Sequence, residues 1–388
     1  MKDRKLNLSY LKINTKLNIL YVVSSLINQA PVKVLYDIVS NIERRGNCFI
    51  ITLYEEVEGK SLKQSFLDLG ISVFCLQSSV IRNEFFTMTL SQKIQNFIND
   101  NNIKIVHTHC YYSALLCTNL KNVKKIVTFH NVCTKDFVYA KGYVLGSYMV
   151  HRYLNAIKKF DKKIAISYSM QTFYQQLLKT NVDVVYNGIN VKVNSPVSPA
   201  EKKTIRNQLG LELDKKIFLV SGSLSKLKNP LFTISVFKKL LNIRNDIMLV
   251  FIGDGLLKKE CIDMIGSQDK YIKCVGFVTE PYKYLQASDY LISSSFSEGL
   301  PLNVLEAICV GLPMALSSIP AHQEISTIVT QSYGLLFDNS NESSLFNVLE
   351  QLLMIDSSEC NSVLSKIGTT HFSSEHMSEE YMKLYVSH

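Results

Sequence analysis

The chain has 388 residues, 47% of them apolar and 19% charged, a composition that excludes a disordered protein and allows two folded domains of ordinary size. Its nine cysteines are scattered with no Cys-x-x-Cys; this argues against a zinc site or a disulfide framework and suits a reducing, cytoplasmic compartment. The net charge of +9 is uneven, with +12 on residues 1–190 and −3 on the remainder. The first half therefore either suits an anionic partner, such as a membrane surface or a phosphorylated lipid, or is a solvated lysine-rich surface. The basic–aromatic patterning of a nucleic-acid binder is not apparent.

Residues 1–15 are basic with interspersed apolar positions, a pattern that fits either a membrane-surface helix or a frayed end. Lys16, the apolar stretch to Ile27 and Asn28-Gln29-Ala30 imitate a signal peptide. That stretch is short and broken by Asn18 and Ser24-Ser25, so it reads as the first buried strand. No other apolar run approaches the ~20 residues that span a bilayer, and any membrane association is expected to be peripheral.

Strands are then expected at 18–24, 48–54, 72–76, 103–108, 125–129, 163–167 and 182–186. Helical spacing lies between them at 32–44, 61–69, 90–100, 112–120 and 142–159. Ile, Val and Leu-rich strands alternating with helices imply a doubly wound parallel sheet, an α/β fold. The turn Asn187-Gly188-Ile189-Asn190 and the polar stretch 192–200 mark a domain connection. A second alternating series follows, with strands at 217–221, 247–252, 272–275 and 290–292 and helices at 231–241 and 256–265. Residues 374–385 have a helical pattern. The expected division is 1–190, 191–370 and a terminal helix in 371–388. Neither half contains Gly-x-Gly-x-x-Gly, so the chain is not a nicotinamide dehydrogenase by fingerprint.

The chain is organised around residues 289–324. A short apolar strand and a serine-rich stretch lead into Glu298-Gly299-Leu300-Pro301, then a helix carrying Asn303 and Glu306 and closed by Gly311-Leu312-Pro313. Pro301 fits the first turn of that helix. The free N–H groups at its start suit an anion such as a diphosphate, and carboxylates on either side suit the hydroxyls of a nucleotide-sugar. In parallel sheets ligands bind beyond the carboxyl ends of the strands, so the loops after strands matter most. Ser221-Gly222-Ser223-Leu224 leads to Lys228, a cation able to pair with phosphate. Ile252-Gly253-Asp254-Gly255 and Gly276-Phe277-Val278 close the next two strands. In the first half His107-Thr108-His109 and Thr128-Phe129-His130-Asn131 end consecutive strands. No acidic or cysteine partner stands at ligand spacing near either strand end, so no metal is expected.

These motifs resemble those of the retaining glycosyltransferases of family 4, which have the two-domain GT-B fold. The match spans most of the chain and is densest in 217–325. It implies two Rossmann-like domains facing across a cleft: a first domain that takes the acceptor, a second that takes the nucleotide-sugar, and a terminal helix crossing back to the first. It implies transfer of a sugar, with retention and without a metal or other cofactor, from a UDP- or GDP-linked donor. The acceptor is a saccharide or lipid-linked saccharide, and the setting suggested is bacterial surface polysaccharide (O-antigen, capsule or lipopolysaccharide). His130 and Glu298 are the expected catalytic residues. Donor binding falls to Gly222, Ser223, Lys228, Phe277, Val278, Gly299, Leu300, Pro301, Asn303 and Glu306, with His109 on the acceptor or sugar side. Two departures stand out. Ser223 occupies the place of an arginine common in the family, removing a bidentate phosphate donor. The loop Ser25–Pro31 also lacks the family's Gly-Gly turn, so either it stays further from the donor or it serves the acceptor. A nucleotide-sugar epimerase on the same fold and a non-catalytic partner subunit are the alternatives.

Overall fold

The computed structural model of the protein describes residues 17–42, 46–355 and 357–387; the surface helix or frayed end considered for 1–15 falls outside them. The first sheet has seven strands, β1 (Leu17–Val23), β2 (Gly46–Thr52), β3 (Ser72–Cys75), β4 (Ile105–His109), β5 (Lys124–Phe129), β6 (Lys162–Ala165) and β7 (Asp183–Val184). Their order is β3-β2-β1-β4-β5-β6-β7, and every pairing is parallel. The second sheet has β8 (Lys216–Ser221), β9 (Ile247–Ile252), β10 (Ile272–Gly276), β11 (Tyr290–Ser293), β12 (Met314–Ser317) and β13 (Gly334–Phe337), in the order β10-β9-β8-β11-β12-β13 and again parallel throughout.

Both sheets are covered by helices on both faces, which explains why the central strands are apolar without alternation. Ile19, Leu20, Tyr21 and Val22 of β1 are all fully buried, as is β9 from Ile247 to Phe251. In each sheet the chain leaves the first strand to one side and returns on the other, between β1 and β4 and between β8 and β11. That reversal opens a crevice at the carboxyl ends of the strands, and the two crevices face each other.

The last helix, Ser374–Val386, crosses back to the first domain. Its Met377, Tyr381 and Tyr385 are buried with Ile19 and Tyr21 of β1 and with Leu35 and Ile38 of the Ala30–Ile42 helix. The chain passes between domains twice, and the two crossings run side by side. Ile189 N–H donates to the Phe372 carbonyl at 2.8 Å, and Ser374 N–H to the Ile189 carbonyl at 2.9 Å.

The helix expected over 142–159 is Tyr143–Ile157, and a further helix that was not expected, Cys133–Lys141, precedes it. Gly142 separates them at φ 79°, a left-handed conformation that glycine adopts without steric cost. The sequence patterns also missed a helix, Tyr168–Leu178, which Ser167 caps by accepting from Met170 N–H at 3.2 Å.

Candidate active site

The second domain contributes two loops that are bonded to each other. After β8 the chain turns through Gly222 to a short 3₁₀ turn, Lys226–Lys228, and Asn229 and Pro230 start the next helix. The loop after β11 grips it from the side: Ser294 Oγ donates to the Lys228 carbonyl at 2.9 Å and Phe296 N–H to the Leu227 carbonyl at 2.8 Å. Lys228 Nζ is thereby held against Glu298, donating to Oε1 at 2.5 Å, and Ser295 Oγ donates to the same oxygen at 2.6 Å. Burial alone would raise the pKa of Glu298. The charge of Lys228 and the two hydrogen bonds outweigh it and hold the carboxyl below its ordinary range.

The helix that follows runs from Leu302 to Val310. Pro301 is its cap (φ −74°, ψ 120°) and not a first-turn residue. Its carbonyl accepts the first intrahelical bonds, from Val304 and Leu305 at 3.1 and 3.2 Å, so the N–H groups of Leu302 and Asn303 lie at the open end of the ladder. Asn303 Nδ2 donates to the Ser221 carbonyl at 2.7 Å, tying the helix start to the end of β8. Glu306, one turn further on, is half-buried. Burial raises its pKa, and Lys33 on the Ala30–Ile42 helix opposes the rise. On that same helix Asp37 is pushed up to about 7 by burial and by Glu306, with Lys33 opposing and Glu375 adding to the rise.

A cavity of about 570 Å³ lies between the domains. Gly222, Ser223 and Lys228 line it from the first loop, and Phe277 and Val278 from the loop after β10. Glu298, Gly299, Leu300, Pro301, Asn303 and Glu306 line it from the third, and His130 faces them from the first domain. The glycine-free loop after β1 also reaches it, through Asn28, Gln29, Ala30 and Pro31. That loop is braced by the Glu56 carboxylate, which accepts from Leu26 N–H at 2.9 and 3.0 Å.

His109 is placed differently from the expectation of an acceptor- or sugar-side group. It is wholly buried and absent from the cavity wall, because it stands behind His130, with its Nδ1 2.7 Å from His130 Nε2. Burial pushes the His130 pKa down to about 4, so the ring is neutral near neutral pH.

Three further polar residues beside the cleft or between the domains were not singled out as site residues from sequence. Asp136, on the helix just after His130, has a buried Oδ1 with no hydrogen-bond partner. Burial and the charge of Glu298 lift its carboxyl to about 6, against Asn131, Lys228 and Lys135. Glu324 bridges the domains, accepting from Tyr168 and Ser169 N–H at 2.8 Å each and from the Tyr186 hydroxyl at 2.7 Å. Asn187 donates to the Leu300 carbonyl at 3.2 Å, beside a bond from Ser167 Oγ to the Gly299 carbonyl at 3.0 Å. Asn187 stood out only as part of a turn, and the partners of Glu324 and Asn187 lie 113 to 156 residues away, so these contacts have no local sequence signal. Among the described residues no cluster of three or more His, Cys, Asp or Glu side chains is disposed to hold a metal, and no helix is long and apolar enough to cross a membrane.

Two doubly wound domains facing each other across a lined cleft define the GT-B architecture. The chain belongs to the group 1 glycosyltransferases: the family described as Glycosyl transferases group 1 matches residues 201–366, and Glycosyltransferase Family 4 matches residues 33–193. It is 26% identical over 240 residues to the O-antigen biosynthesis glycosyltransferase WclY of Escherichia coli, covering 61% of this chain and 65% of that protein. It is 24% identical over 258 residues to a Campylobacter jejuni protein, covering 63% of this chain and 65% of the relative. That relative is named N-acetylgalactosamine-N,N'-diacetylbacillosaminyl-diphospho-undecaprenol 4-alpha-N-acetylgalactosaminyltransferase. The chain thus spans about two thirds of the length of these relatives. The fold matches Anabaena Alr3699/HepE, solved with UDP and glucose, at a TM-score of 0.79 and 16% identity, covering 95% of this chain and 99% of that one.

Proposed function

We propose that this protein moves a sugar from a UDP- or GDP-linked donor to a saccharide carried on a polyprenyl diphosphate, with retention at the anomeric carbon, in the assembly of a bacterial surface polysaccharide. The observation behind it is the convergence of Lys228, Glu298, Glu306 and His130 on one cleft beside the open end of the Leu302–Val310 helix. Lys228 and the N–H groups of Leu302 and Asn303 meet the diphosphate. Glu306 accepts from the ribose hydroxyls, Glu298 from a hydroxyl of the sugar, and His130 touches the sugar from the opposite domain.

Retaining glycosidases place a nucleophilic carboxylate opposite an acid; here the acceptor hydroxyl attacks C1 directly. As the bond from C1 to the diphosphate oxygen breaks, the proton of that hydroxyl passes to the leaving oxygen on the same face. The protein's part is to hold both substrates in line and to stabilise the charge that grows on the diphosphate. The scheme needs no metal.

A lipid-borne acceptor is supported by the relatives' names and by the surface of the first domain. Tyr139, Tyr143, Val144, Leu145 and Tyr148 are exposed on one helical hairpin, and Ile81, Phe86 and Met88 on a neighbouring segment. An ion pair between Arg152 and Glu84 joins the two. Exposed aromatic and aliphatic groups on a basic domain suit the surface of an anionic membrane at the inner face of the cell envelope.

The test is incubation with UDP- and GDP-sugars and a set of polyprenyl-diphosphate saccharides, with the linkage of the product read by NMR. Elongation with the donor's anomeric configuration kept is the expected result. A donor altered without any acceptor points to an epimerase, and inertness toward every donor to a partner subunit. Flotation with neutral and anionic vesicles at low and high salt tests the membrane surface; equal binding to both removes the electrostatic part.

A further inference from the structure

Behind His130 lies a buried chain of polar rings that the scheme above does not use. Both ring nitrogens of His107 are occupied: Nδ1 is 2.8 Å from the Tyr385 hydroxyl and Nε2 is 2.8 Å from Thr128 Oγ1. Tyr381 contacts Thr128 Oγ1 at 3.1 Å, and Tyr21 contacts the Tyr385 hydroxyl at 3.2 Å. The last helix of the chain thus supplies two of the hydroxyls that fix this ring. The His107 ring centroid lies 4.3 Å from that of His109, forming a floor under it. His109 in turn has one partner, His130, at 2.7 Å through Nδ1, while its Nε2 is buried and makes no hydrogen bond.

A neutral imidazole carries one N–H and one bare nitrogen, so one member of the 2.7 Å pair donates and the other accepts. If His109 accepted, its proton would sit on Nε2 as a buried N–H with no partner. If it donates, Nε2 is only a bare lone pair in an apolar setting. Orphaned buried N–H groups are the rarer of the two, and leaving one unmade has a full desolvation cost. Neutral rings are what burial enforces here: it lowers His107 to about 3 and His130 to about 4, and takes His109 well below its ordinary value.

We propose that His109 is a positioning residue that donates from Nδ1 to His130 Nε2 and so fixes the His130 proton on Nδ1, the nitrogen left for a ligand. His130 then offers the cleft a hydrogen-bond donor and not a base. This rests on the reading that His130 meets the transferred sugar, whose hydroxyl oxygen accepts the bond. It also agrees with the acceptor proton leaving on the diphosphate, since an Nδ1 that carries its proton has no free lone pair with which to take another.

The test is a long-range proton–nitrogen correlation spectrum of the full chain labelled with ¹⁵N-histidine, which shows directly which ring nitrogen bears the proton. The chain has eight histidines, and the His130→Asn and His109→Asn variants assign the two signals by their loss. The expected wild-type result is His130 protonated on Nδ1 and His109 on Nδ1. In His109→Leu the His130 proton moves to Nε2, the form free imidazole prefers. A wild-type proton on Nε2 of either ring overturns the assignment, and that spectrum needs no variant to fold beyond those used for assignment. In a transfer assay kcat falls on the order of tenfold or more in His109→Leu with KM for the acceptor little changed. His109→Asn, whose amide donor can occupy the Nδ1 position, recovers most of it; His109→Gln does not. If the spectrum gives the expected tautomers and no variant or wild type transfers sugar, it is the proposed reaction that fails and not the tautomer.

Discussion

The ammonium of Lys228 lies 2.5 Å from Oε1 of Glu298, seventy positions on in the sequence. This pair joins the two loops of the second domain into one electrostatic unit, with only partial exposure of either side chain. On the function proposed above, a diphosphate entering the cleft competes with Glu298 for the cation, which couples the contact to the phosphates with the contact to the sugar. Because Ser223 carries no charge, Lys228 is the cation that this loop presents to the cleft.

Lys228→Ala is therefore expected to lower kcat/KM for the nucleotide-sugar by roughly 10²-fold or more and to return the Glu298 pKa toward or above its ordinary value, since burial then acts without its counterweight. Lys228→Arg restores part of the activity. Steady-state kinetics with varied donor checks this; a change of less than about threefold argues that the backbone N–H groups alone hold the diphosphate.

At Gly299 the backbones of the two domains approach closely. A Cβ built there would lie 2.4 Å from the His130 carbonyl oxygen and 2.8 Å from Met170 Sδ. The backbone of the donor loop and that of the histidine loop are in contact, and even a methyl group must push them apart. Gly299→Ala is expected to open the cleft, seen as a larger radius of gyration in small-angle scattering, with activity down about tenfold. Unchanged scattering together with wild-type turnover would show that the domains do not need this approach.

Asp37 gives a pH signature. Its carboxyl is raised to about 7 by burial and by Glu306, with Lys33 opposing and Glu375 adding to the rise. The folded protein binds this proton more tightly than the unfolded chain, so the contribution to stability is full at low pH and is lost as pH rises through about 7. Asp37→Asn should melt several degrees higher than wild type at about pH 8 and show little gain at about pH 4, near the unfolded value of 3.8. The buried histidines, lowered by burial, act in the opposite direction, so variant and wild type are compared at each pH. An equal difference at both pH values would remove Asp37 as the titrating group.

The parts of this molecule that were legible from sequence are those punctuated by glycine and proline at the ends of apolar strands. Glu298-Gly299-Leu300-Pro301 and Gly311 bracket one helix, and both the turn and the stop are where the residues indicate, with Pro301 shifted by one place to the cap. Lys228 was marked by the following Asn229-Pro230. The parallel alternation of strands was equally clear, since strands buried on both faces leave continuous Val and Ile runs. What stayed hidden depends on three-dimensional neighbours. Glu324 lies at the end of the very stretch that organises the chain, yet its partners Tyr168, Ser169 and Tyr186 are 138 to 156 residues away. Asp136 sits on a short, weakly amphipathic helix, Cys133–Lys141, whose apolar spacing is too faint to mark it in the sequence. His109 and His130 read as two similar strand ends. Only the side-by-side pairing of β4 and β5, with His130 just past the end of β5, puts one behind the other.

The central claim is that the cleft between the domains is a nucleotide-sugar site read by Glu306. Isothermal titration of UDP and GDP into wild type and Glu306→Ala tests it most directly, with thermal melting as the check on folding. One nucleotide should bind wild type in the micromolar range, and the variant should melt like wild type yet bind on the order of tenfold or more weakly, the loss of about 1.4 kcal/mol or more that a hydrogen-bonded charged group supplies. Equal affinity in the two proteins, or no binding of either nucleotide to wild type, would contradict the account.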